Sequence, residues 1–251
     1  MNKIIFALVL LSVSTVSGCV FENTAPDTTP MVRETDNFIF HYIAKDSSAV
    51  DEMSAVLMDN YQRILDILGV DLPFAVEVHV YPSLEDFHQG VGRPDSPDWF
   101  VGAVHGGRVI HIVSPNNPGP VHSHDAIIKV AAHEFVHVAA HQLSSHQIIP
   151  YLVEGLAMYL ANQCKGVHEA VASLSTASAL PDAVRILQTM QFTENVFSVG
   201  YVFVEFIIYE FGFDKLIEMY TSTNPLGVFE ITNDELNQKW ADFIAEHVIV
   251  N

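Results

Sequence analysis

Cysteine is almost missing from this chain: Cys19 and Cys164 are the whole complement. A multi-disulfide framework is excluded, and stability must come from an ordinary hydrophobic core. Positive charge is scarce as well. Eleven Lys and Arg stand against thirty Asp and Glu, for a formal charge of −19. That balance cannot supply the counterion-releasing patch that phosphate binding requires, so nucleic acid is excluded as a partner. It also argues against electrostatic adhesion to anionic lipid. An acidic surface mostly serves solubility and by itself names no substrate. The N-terminal apolar run, Ile4–Leu11, falls short of the roughly 20 residues a membrane-spanning helix needs. Internal repeats and interior linkers are lacking, and the thirteen histidines are scattered, unlike the His-rich tracts of metal-storage proteins.

What is present begins with a processing signal. Met1-Asn2-Lys3 carries one positive charge ahead of the apolar run, and small residues follow, ending in Val16-Ser17-Gly18-Cys19. This tetrapeptide resembles a bacterial lipobox, in which the signal is cut before an acylated Cys. An ordinary secretory signal with an incidental Cys is the alternative. With two or three acyl chains on Cys19 the protein would be stably held at a membrane, exported, on the cell surface or periplasmic side. Residues 1–18 are thus expected to be signal peptide. Residues 19–36, polar and bearing Pro26 and Pro30, are expected to be lipidated Cys and tether. Residues 37–251 are enough for one domain of good size, and 49% apolar with 16% charged residues suits a globular one.

Along that domain the spacing predicts strands over 37–43 and 75–81 and an amphipathic helix over 49–68, ended by Gly69. A short helix or turn is expected over 83–90. The segments 101–104 and 108–113 flank His105-Gly106-Gly107 and read as a hairpin. Helices follow at 126–143, with Ser123 or Asp125 as N-cap, and at 151–163, with Pro150 in its first turn. Further helices are expected at 199–211, 214–220 and 233–247. Strands and one helix first, then helices only, is an α+β order: a small mixed sheet packed on a helix, with a mainly helical C-terminal half.

The 126–143 helix carries His133-Glu134-Phe135-Val136-His137. Residues four apart lie one above the other, about 6 Å along the axis, so two imidazoles can converge on one ion. Glu134 falls about 100° around from His133, placed to receive a proton from a water the metal activates rather than to ligate. Apolar neighbours such as Ala131, Ala132 and Val138 bury the helix, and buried imidazoles need partners. A third protein ligand remains to be found. Leu143 and Ala140 stand where a third His and a Gly would mark the metzincin pattern, so that arrangement is excluded. His141 would only extend a straight line of His, and reads as supporting or surface. Glu154, at the start of the next apolar helix, can be folded back over the first by a helical hairpin, with Gly155 allowing close packing. A carboxylate merely stabilised by the helix N-terminus is its alternative reading. His122-Ser123-His124-Asp125 reads more readily as a solvated helix start than as a second metal site.

Together, His133-Glu134-Phe135-Val136-His137 and the segment Tyr151-Leu152-Val153-Glu154-Gly155-Leu156-Ala157-Met158-Tyr159 resemble the gluzincins. The likeness is to the peptidase MA-like proteins in particular and spans roughly residues 37–247. It implies a zincin-like fold and zinc (Zn2+) held by His133, His137 and Glu154. It also implies Glu134 as general base and hydrolysis of a peptide or protein substrate paired as an extra strand on the hairpin. Tyr201, opening a later helix, matches a position where related enzymes place an oxyanion-stabilising phenol. Met158 departs from the pattern, because some gluzincins carry an acidic residue there to orient a ligating His; a backbone carbonyl or Asp125 would have to substitute. A non-catalytic zinc-binding or scaffolding lipoprotein is the rival expectation.

Overall fold

The structure, a computed structural model, describes residues 27–143 and 149–249. The expected signal peptide and Cys19 lie outside them. Five strands form one mixed sheet: β1 (Pro30–Glu34), β2 (Phe38–Ile43), β3 (Val76–Tyr81), β4 (Gly102–His105) and β5 (Val109–Val113). Their order across the sheet is β1-β2-β3-β5-β4, with the outer pairs antiparallel and the central pairs parallel. Parallel neighbours require a crossover, and helix α1 (Ser47–Leu68) supplies it between β2 and β3.

Alternation decides which face is covered. Phe38, Phe40, Val76, Val78, Ile110 and Ile112 are fully buried on one face. There they meet α1 and helix α3 (His124–Ala140), with the Phe135 ring of α3 lying 5.4 Å from both Phe38 and Tyr61. The intervening residues, among them His41, Glu77, His79, Tyr81 and His111, face the other way and are only partly buried.

Strand β1 lies within the stretch read as tether, so the ordered chain starts before residue 37. It has no apolar pattern to betray it, since four of its five residues are exposed. Backbone pairing with β2 holds it, helped by an Arg33–Asp51 ion pair of 2.5 Å. Proline as the first residue of an edge strand costs no ladder bond. The β4–β5 turn is as expected: Gly106 and Gly107 both take positive φ, 59° and 65°, and the Arg108 N–H donates to the His105 carbonyl at 3.2 Å.

After the short helix α2 (Leu84–Gly90) and α3, the remaining helices are α4 (Pro150–Leu160), α5 (Val167–Thr176), α6 (Ala183–Gln188), α7 (Val196–Phe211), α8 (Phe213–Thr221) and α9 (Asn233–Phe243). A π-helical turn, Ile244–Val248, prolongs α9. Helices α5 and α6 were not anticipated. Only Val167 and Val171 of α5 are buried, too few to display a helical period. Among the described residues no single helix is long and apolar enough to cross a membrane. The architecture is α+β, with the helical half under the sheet.

Candidate metal centre

Helix α3 begins where Ser123 Oγ accepts the Ala126 N–H at 3.2 Å, so Ser123 rather than Asp125 is its cap. Two turns on, the helix passes between the sheet and α4, and His133 and Glu134 are 5% and 6% exposed. Pro150 opens α4, preceded by Ile149 in the extended conformation that a residue before proline prefers. Four contacts fix α4 and so place Glu154. The Tyr220 hydroxyl donates to the Leu152 carbonyl at 2.7 Å, and the Tyr151 hydroxyl pairs with Thr193 Oγ1 at 2.8 Å. Arg63 of α1 donates to the Leu160 carbonyl at 2.6 Å. A Cβ on Gly155 would overlap the Gly200 carbonyl oxygen, and one on Gly200 the Tyr151 carbonyl oxygen, so the backbones of α4 and α7 touch. The close approach expected of Gly155 is real, but it is made to α7 and not to α3.

His133, His137 and Glu154 come together as the spacing predicted. His133 Nε2 lies 3.1 Å from His137 Nε2 and 3.2 Å from Glu154 Oε2, and His137 Nε2 lies 3.5 Å from that oxygen. Metal–nitrogen bonds of about 2.0–2.1 Å in a tetrahedron set ligand atoms roughly 3.3 Å apart. The two imidazole planes cross at 84°, aiming both Nε2 atoms inward from one helix face. His133 Nδ1 donates to Gln163 Oε1 at 2.8 Å. In the neutral ring this leaves Nε2 as a bare lone pair facing a carboxylate oxygen, an arrangement that a shared cation reconciles. Gln163, and neither Asp125 nor a backbone carbonyl, is thus the partner that orients His133. Nothing in the sequence marks it: it stands just past the end of α4, outside any motif.

The carboxylates differ in electrostatics. Burial alone would raise Glu154, but the two imidazoles beside it outweigh burial and hold its carboxyl well below the usual range. For Glu134 burial wins, with Glu154 adding to it and His133 opposing, and the carboxyl is pushed up to about 7. One Glu134 oxygen lies against the α-carbon of Gly102 on β4, where no side chain would fit. The loop before β4 is fastened by His88 Nε2 to the Phe100 carbonyl at 2.9 Å and by His122 Nε2 to the Trp99 carbonyl at 3.0 Å. His122 and His124, the latter 3.0 Å from Glu52, therefore serve other contacts than a shared ion. His141 packs under Gly107 at the hairpin tip.

Tyr201 is not brought to this cluster by any contact among the described residues. Its ring neighbours Tyr159 and His168, and burial together with the nearby Glu205 carboxylate raises its pKa. The α7 residue that does reach the centre is Phe197, its ring 6.3 Å from that of His133.

The Glu134 shift makes stability depend on pH. Folding raises this carboxyl from 4.5 to about 7. Its contribution to stability is therefore complete below pH 4.5 and is lost as pH rises through 7. The loss amounts to roughly 3 kcal/mol for a fully buried group. Urea titrations in chelator should show Glu134→Gln gaining on the wild type by about that amount across the window. A difference that stays flat with pH would sink the assignment.

No protein-family model matches the chain and no curated protein matches it, so the functional reading rests on the geometry of these residues.

Proposed function

We propose that the chain is a zinc-dependent metallopeptidase of gluzincin type with a zincin-like fold, exported and lipid-anchored through Cys19. The observation that carries this reading is the convergence of three ligand atoms at 3.1–3.5 Å with a buried, unligated carboxylate beside them. Two neutral imidazoles and one carboxylate suit zinc, and three protein ligands are the number a catalytic site uses. A bound zinc ion supplies Lewis acidity toward a carbonyl and brings the pKa of a water to about 7.

The rest is done by the chain. Glu134, near neutrality in its buried site, accepts the proton of the attacking water and returns it to the leaving amine. Gln163 keeps His133 in the tautomer that offers Nε2. Gly102 leaves room for the Glu134 carboxylate and lies on β4, an edge strand with no partner on its outer side among the described residues. An extended peptide can hydrogen-bond to that edge and pass its backbone over Glu134. Of the two hairpin strands, the edge position of β4 supports it as the one that pairs with substrate.

Metal content of the purified full chain tests the reading. The wild type should carry zinc that His137→Ala and Glu154→Gln each lose from this centre. Retention of that zinc in Glu154→Gln would remove the three-ligand assignment. Zinc binding without hydrolysis of any peptide in a broad library would favour the scaffolding alternative.

A further inference from the structure

The scatter of histidines along the chain is undone by strand register. His41 on β2 pairs in register with His79 on β3, and His79 with His111 on β5. All three project from the sheet face opposite α1 and α3. Their rings form a row across the strands: His41 to His79 is 4.6 Å between centroids with planes at 28°, and His79 to His111 is 5.2 Å. His105, on β4, closes the row 6.3 Å from His111. Glu77 precedes His79 by two residues and so shares its face, with Oε2 3.6 Å from His79 Nε2. One ligand atom each from His41, Glu77 and His79 lies within 4.8 Å of the others.

An exposed strand face has no packing need for imidazoles, and aligned cationic rings would repel one another. Burial first, and then the neighbouring imidazoles, lower the pKa of both His79 and His111, which keeps their lone pairs free. The Tyr81 hydroxyl pairs with His111 Nδ1 at 2.9 Å, leaving His41, Glu77 and His79 as the open end of the row. Glu77 Oε2 and His79 Nε2 stand 3.6 Å apart, slightly wider than the 3.1–3.5 Å of the buried centre. Side chains of His79 and Glu77 that are 36% and 38% exposed can close the gap by rotation.

We propose that His41, Glu77 and His79 form a second transition-metal site on the outer face of the sheet, distinct from the buried centre. Two imidazoles and one carboxylate favour Zn2+, Cu2+ or Ni2+ over Mg2+ or Ca2+. Half-exposure and three protein ligands leave the remaining positions to water, so this ion exchanges more readily than the buried one. The layer of Phe38, Phe40 and Phe135 lies between the two sites, so occupancy of one leaves the other's ligands in place.

Equilibrium dialysis of the full chain with Cu2+ and with Zn2+, followed by elemental analysis, tests this. His41→Gln/His79→Gln should bind one equivalent fewer than the wild type, whether the wild type starts at two or, should the buried centre hold none, at one. Glu154→Gln/His137→Ala should keep the outer ion, and in that background Cu2+ should broaden the ring signals of His41 and His79 in NMR spectra. Both substituted outer residues are part-exposed, so the fold is expected to survive; Glu77→Gln offers a milder variant, weakening the same equivalent. Unchanged stoichiometry in the His41→Gln/His79→Gln chain, or an ion lost only with the buried ligands, would overturn the proposal.

Discussion

Under the proposed peptidase reading, replacing Glu134 with Gln is expected to leave zinc in place and lower kcat for peptide hydrolysis between about a hundred- and ten-thousandfold. The substitution keeps size and shape but removes the group that can take a proton. The zinc should stay because the three converging ligand atoms belong to His133, His137 and Glu154, while the Glu134 carboxylate rests against Gly102 instead. The split between the two readouts is what makes the experiment decisive. Activity without change would deny Glu134 its role as base. Loss of metal together with activity would make it a ligand. Loss of activity alone, with a stability gain above pH 7 in the stripped protein, is the pattern that its burial predicts.

Gly155→Val should unfold the chain more readily than most core substitutions and weaken zinc binding at the proposed centre. A side chain at this position meets the carbonyl oxygen of Gly200, and the reciprocal position meets that of Tyr151. A flexible side chain could turn away from such an intrusion, but a helix backbone cannot. Overpacking of this kind costs about 3 kcal/mol at the upper end of the usual range. For a chain of this size that is a fall in Tm of roughly 6–12 °C. The second effect is positional. Helix α4 must move off α7, and Glu154 sits on the turn that moves, so its oxygen leaves the 3.2–3.5 Å distances to the two imidazoles. A Gly155→Val chain with unaltered Tm and zinc would show that the two helices have slack between them. Gly200→Ala should reproduce the lesion in weaker form.

How much of this was legible beforehand follows from where each relation lives. Within one element, geometry is periodic, and spacing reads it well. The five-residue run from His133 to His137 placed two imidazoles on one helix face with a carboxylate beside them, and apolar rhythm located α1, α3 and α7 within a few residues. Gly106-Gly107 named its own turn. Between elements, the crossing must be known first. Glu154 could be paired with His137 because two consecutive helices joined by a short connection fold back on each other. Gln163, reaching His133 from beyond the end of α4, had no such signal, and neither did the meeting of Gly155 with Gly200. Tyr201 shows the converse: its place on α7 was foreseen, but a helix presents several faces, and its phenol lies near Glu205. The histidine row depends entirely on register, since positions 41, 79 and 111 are far apart until β2, β3 and β5 lie side by side.

Strand β1 bears on how the protein behaves when shortened. A chain cut to begin at residue 37 would retain every residue of the metal centre and look complete by its apolar pattern. It would also uncover one flank of β2, a strand carrying Phe38 and Phe40, and leave a row of N–H and C=O groups unpaired. Such a flank is a template for a strand from another molecule. The shortened protein would therefore self-associate through β2 while keeping His133, His137 and Glu154 together, and its insolubility would say nothing against the integrity of the site.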